Sequence, residues 1–234
     1  MSIRNSERFL TAYNRIEKSM EKTIGFSGYM PFFKLIDRAK KVNAIVRKFE
    51  DDLREYAGLR NAIVHHRTEV EYAIAEPHDD IVELIEYIDR ELSKPKTVGE
   101  MFQRKVHTLR ASDTLDKVLK LILEKRFNQI PIYEDQKFIG LITSEGITYW
   151  LADQYAKGDI SREIPTLLDM YCHENKKNTY RFINKELSVY EAEEIFKESV
   201  VKGKRLDALL ITENGLVEEK LLGIITPLDL IKID

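Results

Sequence analysis

Apolar residues recur at three- and four-residue spacing through residues 1–92, then give way to short β-like runs alternating with helical stretches. "SERFLTAYNRIEKSMEKTI" opens on a cap-like Ser6, and "GFSGYMP" ends its helix with Gly25, Gly28 and Pro31. The pattern predicts a long, interruptible helical stretch from Phe32 to about Arg67. A further helix from Pro77 carries Ile81, Leu84, Ile85, Ile88 and Leu92 along one side. Four such helices can bury their stripes as a bundle. "SKPKTVG", 93–99, reads as a polar linker.

Beyond it the pattern is duplicated. "KVHTL" is a strand candidate, "SDTLDKVLKLILEKR" a helix opened by Ser112 or Asp113, "NQIPIYEDQKFIGLIT" a hairpin and "SEGITYWLADQYAKG" a helix. The series then recurs as "YRFI", a helix "LSVYEAEEIFKESV" capped by Ser188, the hairpin "LDALLITENGLVEEKLLGIIT" and "PLDLIKI". "GLIT" at 140–143 and "GIIT" at 223–226 anchor two β-α-β-β-α copies. A unit of that size rarely closes a core alone, so the copies should pack together. The expected fold class is α+β: a helical domain over 1–92, a linker over 93–99, and repeats over 100–156 and 157–234.

Composition narrows the function classes. The 234 residues are 43% hydrophobic and 33% charged with net charge −3, which argues against general polyanion binding. One cysteine, Cys172, excludes an internal disulfide framework, and no apolar run approaches a membrane span. "MSIRNSERFL" lacks the apolar core of a signal peptide, so a cytoplasmic protein is expected. There is no Gly-rich phosphate loop, and neither the scattered histidines nor Cys172-His173 have metal-ligand spacing.

The duplicated half, about 98–234, resembles a tandem pair of CBS domains, the small regulatory repeat that binds adenosine-type ligands. The likeness rests on element order, on "NQIPIY" before the hairpin and on "GIITPLDLIKI", which fits the family's Gly-x-x-Thr/Ser-x-x-Asp signature. It implies that Asp229 holds ribose hydroxyls and that Thr226 contacts a phosphate. Elementary chemistry agrees: a carboxylate accepts both hydrogen bonds of a vicinal diol, and a helix N-terminus favours an anion. The same residues also make a capping box with proline at the first helical position, so a plain cap stays open. The first copy keeps Thr143 but has Gly146 where the carboxylate belongs, and Glu145 stands one position early, about 100° away on a helix. One competent site and one degenerate one are expected. Lys202, Lys204 or Arg205 could supply charge for a phosphate tail, and Asn128 and Gln129 could line the site. Each also reads as an ordinary solvated residue.

In the helical half, "YAGLRNAIVHHRTEVE" is unusual. At about 100° per residue from Leu53, the residues Tyr56, Ala57, Ile63 and Val64 form an apolar stripe, and Arg60 falls near its middle. Asn61 and His65, four apart, stack on its flank. A permanently charged guanidinium belongs there if the stripe meets a partner or a cleft holding an anion, or if it pairs with an acid inside the bundle. "LRNAIVHHR" resembles the Arg-(polar)-x-x-x-His signature of HEPN domains, helical bundles of about this length. Many of these are metal-independent endoribonucleases whose dimers share one cleft. The resemblance implies Arg60, Asn61 and His65 as catalytic residues. Histidine suits movement of a 2′-hydroxyl proton, and arginine suits a phosphorane-like transition state. Residues 1–67 hold 14 Lys and Arg against 8 Asp and Glu (+6), and residues 68–100 hold 3 against 10 (−7).

The leading expectation is a homodimeric effector. Its CBS half senses AMP, ADP or ATP without any required cofactor or metal, and its helical half carries a ribonuclease site acting on RNA. The alternative is a non-catalytic nucleotide sensor whose helical half mediates dimerisation or partner binding.

Overall fold

The computed structural model describes residues 3–65, 75–158, 165–172 and 179–231, with His65 and Cys172 described by backbone alone. The chain forms two units, Met1–Lys96 and Thr97–Asp234.

The first unit contains five described helices: α1 (Asn5–Thr23), α2 (Phe32–Ala39), the single-turn α3 (Ala44–Lys48), α4 (Glu50–His65) and α5 (Asp79–Ser93). The interruptible helical stretch expected from Phe32 breaks at Asn43. Its side chain accepts the N–H groups of Ile45 and Val46 at 2.9 and 3.1 Å and restarts the chain as α3. Ser6 is not the cap of α1. Arg4 takes the extended N-cap conformation, and the buried Ser6 donates its backbone N–H to the Glu76 carboxylate at 3.0 Å. The stripe of α1 (Phe9, Ile16, Met20) is fully buried against Leu35, Leu53, Ile85 and Ile88. Tyr13 and Phe32 stack at 4.3 Å, and the Arg8 fork meets the Glu86 carboxylate at 2.9 and 2.8 Å, fastening α1 to α5.

Asp89 on α5 is the discordant residue in this core. Its side chain is 10% exposed, Oδ2 lies 3.6 Å from Arg15, and the buried Oδ1 has no hydrogen-bond partner among the described residues. Burial holds its carboxyl above the usual range, against the pull of Arg15, a hydrogen bond from Ser93, and Arg90. A folded-state value above the unfolded one means that ionisation opposes folding. This residue's contribution is therefore most favourable at acid pH and is lost as pH rises through the raised value. Asp89→Asn is expected to gain on the order of 1 kcal/mol at neutral pH and to flatten that part of the profile. Urea midpoints across pH check this, and an unchanged neutral midpoint would contradict it.

Among the described residues, the second unit holds two three-stranded sheets with the same order and directions. In the first, β1 (Leu109–Arg110) runs parallel to β2 (Gln129–Glu134), which is antiparallel to β3 (Lys137–Thr143). In the second, β4 (Tyr180–Asn184) runs parallel to β5 (Ala208–Thr212), which is antiparallel to β6 (Gly223–Ile225). Helices α7 (Leu115–Lys125) and α8 (Ser144–Lys157) belong to the first copy, and α10 (Val189–Val201) and α11 (Pro227–Leu230) to the second. Ser188 caps α10 through a reciprocal box with Glu191, as the spacing predicts. Thr114, rather than Ser112 or Asp113, is the N-cap residue of α7, because Asp113 turns back to accept the Arg110 N–H at 2.8 Å.

The sheets meet face to face through Phe138, Leu141, Ala208 and Leu210, with Phe138 edge-on to Tyr133, Tyr180 and Phe182 at 5.0–5.5 Å. The alternate residues Leu209 and Ile211 face α10, so β5 is apolar on both sides.

Two short helices are absent from the sequence reading. They are α6 (Val98–Phe102), within and beyond the stretch read as linker, and α9 (Leu167–Cys172). Each packs on the other copy. Val98 and Phe102 enter the core around Ile183, Phe196 and Ile225, and Leu167, Met170 and Tyr171 enter that around Val118, Ile132 and Ile142. Backbone bonds Val98 N–H to Leu187 O and Leu167 N–H to Asp113 O, both 2.8 Å, hold the exchange.

Candidate functional site

The second copy's site grows from the passage of β6 into α11. Thr226 takes the extended N-cap conformation, Pro227 occupies the first helical position, and Asp229 stands third. Asp229 Oδ2 accepts both the Thr226 N–H and its hydroxyl at 2.8 Å, and the Asp229 N–H donates to Thr226 O at 3.0 Å. The capping role is therefore realised. A carboxylate has about four lone-pair sites, and the cap uses two on one oxygen, which leaves Oδ1 able to accept a diol.

Beside Oδ1 lies a residue that the sequence reading missed. Arg104 Nη2 is 3.5 Å away and donates to Ile224 O at 2.9 Å. Arg104 reaches it because the segment after α6 pairs with β6: Gln103 bridges Gly223, and the Arg104 N–H donates to Leu222 O at 3.0 Å. The only sequence signal is one basic residue ahead of a strand.

In the first copy, Thr143 Oγ1 accepts the N–H of the buried Gly146 at 2.9 Å. Gln129 stands opposite Thr143 in the ladder, and Asn128 accepts the Ser144 N–H at 3.1 Å, so these three sequence-named residues come together. Glu145 pairs with Arg205, whose Nε donates to Asp207 Oδ1 at 2.7 Å. Asp207 Oδ2 is buried without a hydrogen-bond partner among the described residues. Arg205 is thus held between two carboxylates, whereas Lys204 is exposed. A cleft of about 690 Å³ opens elsewhere in the unit. It is lined by Thr108, Arg110, Lys117, Tyr133, Gln136 and Glu218 among others, and contains none of the residues the sequence proposed for a site.

In the helical unit, Leu53, Tyr56, Ala57 and Ile63 are buried, while Val64 and Arg60 are half-buried. Arg60 Nη1 donates to Asn61 Oδ1 at 3.3 Å, and among the described residues no carboxylate lies within salt-bridge distance of it. Its charge is felt by Tyr13 and Glu17 on α1, whose pKa values burial raises and Arg60 draws back down. Burial also pushes the Tyr56 hydroxyl up to about 12. The His65 side chain and all of His66 lie outside the described residues. No described helix is long and apolar enough to cross a membrane.

Among solved structures, the chain is similar to CBSX2 in complex with AMP (17% identity over 59% of this chain and 95% of that one, TM-score 0.43). It is also similar to an acetoin utilization protein, AcuB, from Vibrio cholerae (17%, 58% and 88%, 0.44). A third similar structure is the CBS domain pair of protein MJ0100 with 5′-methylthioadenosine and S-adenosyl-L-methionine (15%, 59% and 95%, 0.43). No curated protein matches the chain. The family model for the CBS domain matches residues 98–153, within the second unit of this chain.

Proposed function

We propose that the second unit is an adenine-nucleotide receptor with one competent site, in which Asp229 holds the ribose and Thr226 stands by the phosphate. One observation carries the reading: Asp229 is fixed by its cap through Oδ2, which leaves Oδ1 uncommitted to the cap, in a side chain 21% exposed. The CBS match, over 98–153, covers the first copy, and the second copy, which carries Asp229, repeats its sheet order and strand directions. Thr143, Asn128 and Gln129 would form the degenerate counterpart. Thermal shift of the full chain with AMP, ADP and ATP tests it, and no stabilisation by any of the three overturns it.

The helical unit, on this reading, is the effector that the nucleotide controls. The half-buried Arg60, lacking a carboxylate partner among the described residues, supports a phosphodiester-binding face of HEPN type with Asn61 and His65. A homodimer would bring two such faces together. Exposed Leu119 and Leu123 on α7, with Leu151 and Tyr155 on α8, offer apolar surface for a second copy. With RNA as substrate, Arg60→Ala and His65→Ala are each expected to lower cleavage by about 10²- to 10⁴-fold. Equal cutting by wild type and variants would leave a nucleotide-sensing interaction protein without catalysis.

A further inference from the structure

We infer that Arg104 is the cation that takes the phosphate of the nucleotide whose ribose rests on Asp229, an assignment that depends on the ribose reading above. The guanidinium is anchored by one donor on Ile224 O at 2.9 Å, and by the pairing of its own backbone with Leu222. Its approach to Asp229 Oδ1, 3.5 Å, exceeds the 2.7–2.9 Å usual for a charged hydrogen bond. The contact is an ion pair that leaves donors uncommitted. The side chain is 51% exposed and lies beside the carboxylate.

A carboxylate that holds a vicinal diol places the 5′-phosphate one sugar ring away. Without a neighbouring cation, Asp229 would repel that phosphate. Arg104 neutralises the carboxylate and presents the planar fork that matches two phosphate oxygens. Of the rivals from the sequence, Arg205 is held by Glu145 and Asp207, and Lys204 is an exposed side chain. Arg104 therefore decides whether a phosphorylated nucleoside is preferred over the bare one.

Calorimetric titration of the full chain with AMP and with adenosine tests this, comparing wild type, Arg104→Gln and Arg104→Lys. Wild type is expected to favour AMP by about tenfold or more. Arg104→Gln should erase that preference while holding adenosine within about threefold, and Arg104→Lys should retain part of it. Equal losses for both ligands in Arg104→Gln would mark a structural role and overturn the assignment, as would an intact AMP preference. If wild type binds both ligands equally, the Arg104 assignment falls while the nucleotide site stands. If it binds neither, both fall.

Discussion

Gly223→Ala is expected to destabilise the second unit by about 2–4 kcal/mol, a large effect for one added methyl group. A Cβ at Gly223 would press on the backbone carbonyl of Phe102, with the carbonyl carbon at 3.2 Å and Ile211 Cδ1 at 3.0 Å. The obstacle is main chain, held by α6 and by the bridge from Gln103, so it cannot swing aside. Gly140 is its counterpart in the first copy, pressed by the Tyr171 ring of α9. Both glycines of the repeated "GLIT" and "GIIT" thus make room for the exchanged short helices. Gly58, inside α4, is the control, because a methyl group there would meet nothing within 4 Å. Gly58→Ala should stabilise by roughly 0.5–1 kcal/mol. Urea midpoints of the two variants and wild type decide it, and a Gly223→Ala protein as stable as wild type would refute the packing argument.

The largest functional effect is expected at Asp229. AMP at a hundred times its dissociation constant should stabilise the wild-type chain by about 2.7 kcal/mol, and Asp229→Ala should abolish that gain. Alanine also removes the acceptor for the Thr226 N–H and hydroxyl, costing about 1 kcal/mol without ligand. Asp229→Asn separates the two roles. Its amide oxygen keeps an acceptor for the cap, so stability without ligand should stay near wild type, while the charge facing Arg104 and the diol is gone. Retention of the full nucleotide shift by Asp229→Asn would mean that the ribose lies elsewhere.

Local residue chemistry makes much of this chain legible. The stripe of α1, the box of Ser188 with Glu191, and the strand order repeated around "GLIT" and "GIIT" follow from periods of 3.6 and 2 and from short-range caps. Ser6 misleads because its cap-like chemistry is local, whereas its N–H is claimed by Glu76 from far along the chain. The position of the break at Asn43 is hidden because apolar spacing continues through it.

Asp229 and Thr226 can be named from their spacing, because a cap and a ribose-holding carboxylate draw on the same short motif. Which face of each element must be covered is written in the order of residues. What covers it was decided by tertiary structure alone: α6 and α9 cross to the opposite copies, two glycines yield to them, and Arg104 reaches the backbone of Ile224, 120 residues away. The physical reason is that periodicity records a demand for burial without naming the partner. An ion pair between distant segments leaves no periodic trace in the chain.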